Sequence, residues 1–392
     1  MPPSAVESAY GVIARLLPGP VADRVLPGRR REFRETGVTR ARDARRRLVI
    51  GPVNSAGQGY AWARAAERLP DVAAASFMYR GADDVFGFTA DHVIPVGALI
   101  SNGRWRAAQR EAVLTGFTHA IVESGRPLLG REEDVLAQIR LLQERGIRVA
   151  LLWHGSDIRL PSAHAAREPD SPFAHGYPDT AALERIAAAN RALADAADVP
   201  VFVSTPDLLV DAPRGAEWLP LVVDADAWAV AGAKPAFARE RPVVVHAPSS
   251  AGLKGTAGIA AAMGRLHEEG LIEYREVHGV PSARMPDLYG DADVVLDQFV
   301  VGSYGVATVE AMAAGRLVVG HIRDEVRETV RRRSGQELPV VQSRAGGIEE
   351  ALRRIVADRA GSASLAARGP AFVRRVHDGA LAAGVLQGFL DS

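Results

Sequence analysis

From Leu48 onward, short unbroken apolar runs alternate with stretches that carry apolar residues at helical spacing. The runs are LVIGPV at 48–53, then 73–79, HAIVE at 119–123, IRVALLW at 147–153 and PVFVS at 200–204. Between them lie helical stretches, notably 132–145 and 180–197, and an Ala- and Arg-rich segment reaching about Leu69. A strand covered by helices on both sides has no polar face to show. Continuous apolar strands separated by helices therefore predict a buried parallel sheet. The stretch 222–240 breaks this pattern, and PVVVHA at 242–247 starts it afresh. A helix near 256–269, EYREV at 273–277, ADVVLDQ at 292–298, a helix at 305–314 and RLVVGHI at 316–322 follow. The chain thus reads as α/β, with two doubly wound Rossmann-like domains. Such sheets bind ligands at the carboxyl ends of their strands, so the two are expected to face each other across a cleft. The expected divisions are an arm at 1–47, a first domain at 48–223 and a second at 224–375. The closing helical stretch 376–392 is free to pack back on the first domain.

Composition narrows the classes. A length of 392 residues suits two domains of ordinary size, and no apolar segment has the length of a membrane span. The opening residues lack a basic head before an apolar run, so no signal peptide is expected and the cytoplasm is the default. Lys and Arg together number 47, as do Asp and Glu, which argues against a nucleic-acid binder. The absence of cysteine excludes disulfides, thiolate metal sites and a cysteine nucleophile. Charge is uneven, however: residues 1–47 hold eleven arginines against five acids, next to Val12, Ile13, Leu16 and Leu17. One reading is a solvated, partly frayed arm. The other is a patch for an anionic membrane surface, where each basic residue contributes about 1 kcal/mol.

The second domain carries the densest candidate chemistry. VVVHAPSSAGLKGT runs from a strand through small residues to Lys254, Gly255 and Thr256 at the start of a helix. There a lysine and free helix amides suit a phosphate, although a solvated lysine in a turn is the plainer alternative. The loop after Val277, with His278, Gly279 and Val280, leaves another strand end and suits backbone contacts to a base. In GSYGVATVEAMAAGR, Gly302, Ser303 and Gly305 precede a helix beginning near Val306. Glu310 lies one turn further on, where a carboxylate can accept both hydroxyls of a ribose.

These pieces together resemble the retaining family 4 glycosyltransferases of GT-B architecture, most closely over residues 242–322. The resemblance implies that Lys254-Gly255 binds the donor diphosphate. It also implies that Glu310-Ala311-Met312-Ala313-Ala314-Gly315, with the turn before it, binds phosphate and ribose. The family has an earlier glutamate eight residues before the ribose glutamate, and here that position is Gly302. Asp297, Gln298 and the backbone of Ser303, Tyr304, Gly305 and Val306 are the nearest candidates for the donor sugar.

The first domain supplies compatible parts. Asn54 and the loop Gly57-Gln58-Gly59 follow the first strand, where GT-B enzymes bring backbone close to donor or acceptor. No GxGxxG is present there, against a nicotinamide dehydrogenase. His154, Asp157 and Arg159 end the strand 147–153. The resemblance implies that His154 approaches the donor sugar, with Asn54, Asp157 and Arg159 on the acceptor side. Glu123, at the end of another strand, is the other cleft candidate, with an ordinary surface acid beside Arg126 as the expected reading. His164 and His175 fall in a proline-rich stretch, 160–179, that reads as an irregular loop. Asp291-Ala292-Asp293 imitates a metal-binding DxD, but GT-B enzymes usually need no metal, so neither metal nor cofactor is expected.

The implied activity is a hexosyl transfer from a nucleotide-diphosphate sugar to an acceptor hydroxyl with retention of configuration, within carbohydrate biosynthesis. Catalytic candidates are His154, Lys254 and Glu310, and the acceptor is a lipid, a polysaccharide or a small molecule. Two alternatives stay open: an inverting GT-B transferase or nucleotide-sugar epimerase, and a sugar-nucleotide-binding protein without turnover, for which Gly302 is the motive.

Overall fold

The computed structural model describes residues 16–392, and Val12 and Ile13 lie outside them. Two parallel sheets carry the fold. The first contains β1 (Arg46–Gly51), β2 (Val72–Arg80), β3 (His92–Pro95), β4 (His119–Glu123), β5 (Arg148–Trp153), β6 (Val201–Val203) and β7 (Glu217–Trp218), in the order β3-β2-β1-β4-β5-β6-β7. The second contains β8 (Val243–His246), β9 (Glu273–Glu276), β10 (Val294–Leu296), β11 (Leu317–Gly320) and β12 (Val340–Gln342), in the order β12-β11-β10-β8-β9. In register, Val295 stands between Val245 and Val318, and Leu296 between His246 and Val319. The strands β8, β10 and β11 thus end level.

Both orders reverse direction once. The chain leaves β8 for β9 on one side and later enters β10 on the other, as β1 is flanked by β2 and β4. Loops that depart in opposite directions leave a crevice at the carboxyl ends between them. By packing, the chain forms two compact units. One holds residues up to Leu152, with Leu193–Val201 and Gln387–Ser392; the other holds Trp153–Ala192 and Phe202–Leu386. The loop after β5 and all of the second sheet therefore belong to one unit.

Within that unit Val244, Val294, Leu296, Leu317 and Val319 pack against Ile259, Met263 and Leu266 of the helix Thr256–Glu268. Ile348, Leu352 and Ile355 of the helix Ile348–Ala357 complete this layer. The alternate residues Val243, Val245, Val295 and Val318 are equally buried on the opposite face. Burial on both faces is the reason these strands read as continuous apolar runs. The strands β3, β7 and β12 escape sequence reading because they stand at sheet edges, where partial exposure breaks up the apolar run. Among the described residues no helix is long and apolar enough to cross a membrane.

The basic segment departs from a frayed arm. Helices form at Gly19–Val25 and Pro27–Glu35, each with proline in its first turn, where a missing N–H costs nothing. Asp23 is fully buried and accepts hydrogen bonds from Arg29 Nε at 2.7 Å and from the Gly97 amide at 2.6 Å. Trp105 Nε1 donates to the Gly37 carbonyl at 2.6 Å, and the Thr39 amide to Gln109 at 2.8 Å. Counting charges misses this arrangement because one acid in the right place lets an arginine-rich segment dock. The stretch 160–179 likewise departs from an irregular loop, forming a helix over Pro161–Arg167 and a 3-10 turn over Pro172–Ala174.

Candidate functional site

The reversal between β8 and β10 gathers the candidate donor residues. His246, fully buried at the end of β8, donates from Nδ1 to the Leu296 carbonyl at 2.9 Å. Its Nε2 faces Thr256 Oγ1 at 2.8 Å, so one ring ties two strand ends to the first residue of the helix Thr256–Glu268. Burial lowers its pKa and so favours the neutral ring. Just before that helix, Gly255 adopts a left-handed φ of 76°, and a Cβ there would lie 2.8 Å from Val300. Glycine is required at this corner.

Lys254, on the preceding turn, ion-pairs with Asp297 at the end of β10. Thr308 Oγ1 donates to the other Asp297 oxygen at 2.6 Å. Burial pushes the Asp297 pKa up, but Lys254, Thr308 and the Gly305 amide outweigh it and hold the acid ionised. Asp297 is therefore a buried support that ties its own loop to two helix starts. An ammonium has three donors, and the Lys254 side chain keeps partial exposure, so it holds a fixed position with donors left for a ligand.

Gln298 shapes the next residues. Its Nε2 donates to the Ser303 and His321 carbonyls, and its Oε1 accepts the amides of Val301 at 2.7 Å and Gly302 at 3.3 Å. Every polar position of the amide is used within the loop, so Gln298 contributes by presenting backbone. Tyr304 is buried, its hydroxyl 3.3 Å from His377 Nε2, and it too acts as an anchor. Gly305 opens the helix Val306–Ala313, and a Cβ there would meet nothing within 4 Å. The first amides of that helix lack intrahelical acceptors, in front of open space.

Glu310 follows one turn later. Burial pushes its pKa up to about 8, in keeping with a side chain that has no hydrogen-bonded or ionic partner among the described residues. An acid held ready in this way gains most from a ligand that donates to it. Val280 is half-buried on the loop after β9, next to Gly279 in open space at a φ of 63°. Asp291 pairs with Arg239 and Arg275, while Asp293 accepts the amides of Phe237 at 2.6 Å and Val243 at 2.7 Å. Those two acids serve the scaffold.

The loop after β5 belongs to the same unit. The Asp157 carboxylate accepts the His154 amide at 3.0 Å and the Gly155 amide at 2.7 Å, folding the loop on itself. Arg159 is buried and pairs with Asp207 at 2.6 Å. His164 was not legible as a site residue. Its Nε2 donates to the Val301 carbonyl at 3.1 Å, and its Nδ1 accepts from Ser171 Oγ at 2.7 Å. A carbonyl can only accept, which fixes the tautomer. Burial lowers the His164 pKa to about 4, so the ring stays neutral and braces the loop before Gly302. Glu168 adds a second brace, bonding His321 at 2.8 Å and also pairing with Arg344.

In the other unit, Glu123 is fully buried instead of exposed. Its Oε2 accepts the amides of Val53 at 2.9 Å and Asn54 at 2.8 Å. Asn54 has a left-handed φ of 52°, and its Oδ1 accepts the Tyr60 amide at 2.9 Å. Gly57 is left-handed as well, and Gln58 and Gly59 begin the buried end of the helix Gln58–Ala66. This is the loop at the β1–β4 reversal.

Solved structures share this architecture. The chain superposes on sucrose-phosphate synthase from Thermosynechococcus elongatus with a TM-score of 0.56 and 16% identity, over 88% of this chain and 99% of that one. Anabaena HepE in complex with UDP and glucose gives 0.55 and 13%, over 88% and 100%. An α-glucosyltransferase in complex with UDP and a 13-mer DNA gives 0.57 and 10%, over 89% and 100%. The fold is that of the GT-B glycosyltransferases. No family model and no curated protein sequence matches the chain. At such identities the likeness concerns the fold, and the chemistry rests on the residues above.

His164→Phe keeps ring volume but loses both hydrogen bonds, and should cost about 1–3 kcal/mol in urea unfolding at neutral pH. The wild-type histidine takes up a proton in the unfolded chain near pH 6.5, and in the folded chain only near pH 4. Its stabilising effect is therefore complete above pH 6.5 and declines as pH falls towards 4. The gap between wild type and variant should narrow over that interval. A gap independent of pH would remove His164 as a neutral brace.

Proposed function

We propose that the chain is a retaining glycosyltransferase of family 4 type, moving a hexose from a nucleotide-diphosphate sugar to an acceptor hydroxyl. The observation that carries this reading is the convergence of Lys254, the open Gly305 turn and Glu310 at one strand-order reversal. In this reading the diphosphate meets Lys254 and the helix amides, and the ribose donates to Glu310. The bond from the anomeric carbon to the β-phosphate oxygen breaks while the acceptor oxygen bonds that carbon from the same face. The acceptor proton passes to the departing phosphate. Charge grows on the leaving group, so Lys254 and the first amides of the helix Val306–Ala313 act most strongly in the transition state and no metal ion is needed. An inverting transferase would give the opposite product anomer, which proton NMR distinguishes, and a protein without turnover would give no product.

Lys254→Ala should lower kcat at least about a hundredfold, since one preorganised charge donor accounts for about 3–4 kcal/mol. Removing Lys254 also strands the buried Asp297, so the double variant Lys254→Ala, Asp297→Asn separates folding from chemistry. It should regain stability and not turnover. Kinetics run in EDTA test the metal-free reading together with it. Wild-type turnover in the alanine variant, or none in EDTA, would overturn the corresponding part.

Glu310 makes donor binding pH-linked. Its pKa of about 8 leaves it mostly protonated at neutral pH. Ribose hydroxyls favour the ionised form, so nucleoside diphosphate binding should expel a proton near pH 7.5 and tighten as pH rises towards 8.5. Calorimetry in buffers of differing ionisation enthalpy reads the proton directly. Glu310→Gln should abolish it, and equal heats in all buffers for the wild type would remove Glu310 from the ribose.

In the same reading the basic segment meets an anionic membrane surface, with the chain in the cytoplasm and peripheral at the membrane. Val21 and Val25, one turn apart on the helix Gly19–Val25, are exposed, as is Leu16. Arg24 lies on the same helix, and Arg30, Arg31 and Arg34 line a recess together with Val25. Sedimentation with phosphatidylserine vesicles should capture the protein at low salt and release it at high salt. Arg30→Glu with Arg34→Glu should abolish capture. Equal capture by phosphatidylcholine vesicles would sink the idea.

A further inference from the structure

Around the loop that Gln298 and His164 hold, one cation is left without an anion. Arg159 is neutralised by Asp207, and His164 is an uncharged brace. Arg323 has no carboxylate partner among the described residues, and its Nε is buried with no hydrogen-bond acceptor. That Nε is covered, whereas Arg323 as a whole is only half-buried and its terminal nitrogens have no partner among the described residues, which leaves the end of the guanidinium for a ligand.

The side chain is also held in place. The Arg323 amide donates to the Gly302 carbonyl at 3.0 Å. Its stem crosses the α-carbon of Gly302, where a Cβ would lie 2.7 Å from Cγ, 3.0 Å from Cδ and 3.2 Å from Nε. Gly302 itself has a left-handed φ of 78°, which disfavours any side chain. Glycine here makes room for the arginine.

We infer that Arg323 is a specificity-determining residue that binds an acid group on the donor sugar, so that the donor is the nucleoside diphosphate of a uronic acid. This rests on the donor-site reading above. With phosphate at the Gly305 turn and ribose at Glu310, further along the helix, the sugar extends from the far side of the diphosphate towards Gly302. A hydroxyl there could accept from a terminal nitrogen, but it would leave the guanidinium charge unmatched. A carboxylate accepts two parallel N–H groups from the planar fork and supplies the missing charge.

Calorimetry on the full chain tests this with two series, UDP, UDP-glucose and UDP-glucuronate, and GDP, GDP-mannose and GDP-mannuronate. In whichever series binds, the uronate should bind at least about tenfold tighter than the neutral sugar, the size expected of a charge-assisted bidentate contact. Arg323→Met keeps an unbranched stem over Gly302, and the ratio should fall to about one. A wild type that binds the neutral sugar as tightly, or a preference that survives the substitution, would overturn the inference. So would a loss that falls equally on the nucleoside diphosphate, because Arg323 would then serve the phosphates. Failure of both nucleoside diphosphates to bind would instead take down the donor-site reading, and this inference with it.

Discussion

The second sheet's site depends on keeping one carboxylate ionised inside the protein. Asp297 ends a central strand and is almost wholly buried, where an unpaired charge would simply take up a proton. It stays charged because Lys254, Thr308 and the Gly305 amide all point at it. Lys254 precedes the helix Thr256–Glu268, and Gly305 and Thr308 lie at the start of the helix Val306–Ala313. Solvating one acid therefore fixes the mutual positions of the lysine turn, the glycine turn and the helix that bears Glu310.

Around this charge, labour is divided by polarity. The groups that shape the loops are neutral and fully used: His246 between two strand ends and a helix, Gln298 with four hydrogen bonds, His164 between Ser171 and Val301. Neutral braces cost less to bury than ions and hold backbone in one arrangement. The groups left with spare capacity are Lys254, Glu310 and Arg323. Preorganisation of this kind lets binding energy go into the ligand instead of into ordering the loop.

Much of this was legible in the sequence, and what was not has a physical cause. The strands of the second sheet show as apolar runs because both faces are buried, and Lys254-Gly255 and Gly305 to Glu310 stand out because the chain must turn and open there. Glu123 was misread because its role depends on β1 and β4 being neighbours, a tertiary fact invisible along seventy residues of chain. His164 was hidden in a proline-rich stretch, since its partner Val301 is 137 positions away. The arginine-rich segment looked solvated because its docking contacts, Asp23 with Gly97, Gly37 with Trp105 and Thr39 with Gln109, each join residues about seventy positions apart. Local chemistry is written locally, whereas a brace is written in two distant places at once.

Gly302 is the position where these lines meet. The resemblance to family 4 enzymes places an acid there, and the geometry explains why an acid does not fit. A side chain at a φ of 78° is strained whatever its identity, and one that pointed outward would collide with the Arg323 stem. Restoring a glutamate at 302 would thus require a different backbone turn and a different residue at 323 together. The first change does not stand alone, because a glutamate side chain at 302 overlaps the Arg323 stem. The two positions form a single physical unit. The replacement of an acid by an arginine reaching over glycine therefore reverses the sign of the charge offered at that edge of the loop, while Gln298 and His164 hold the loop itself.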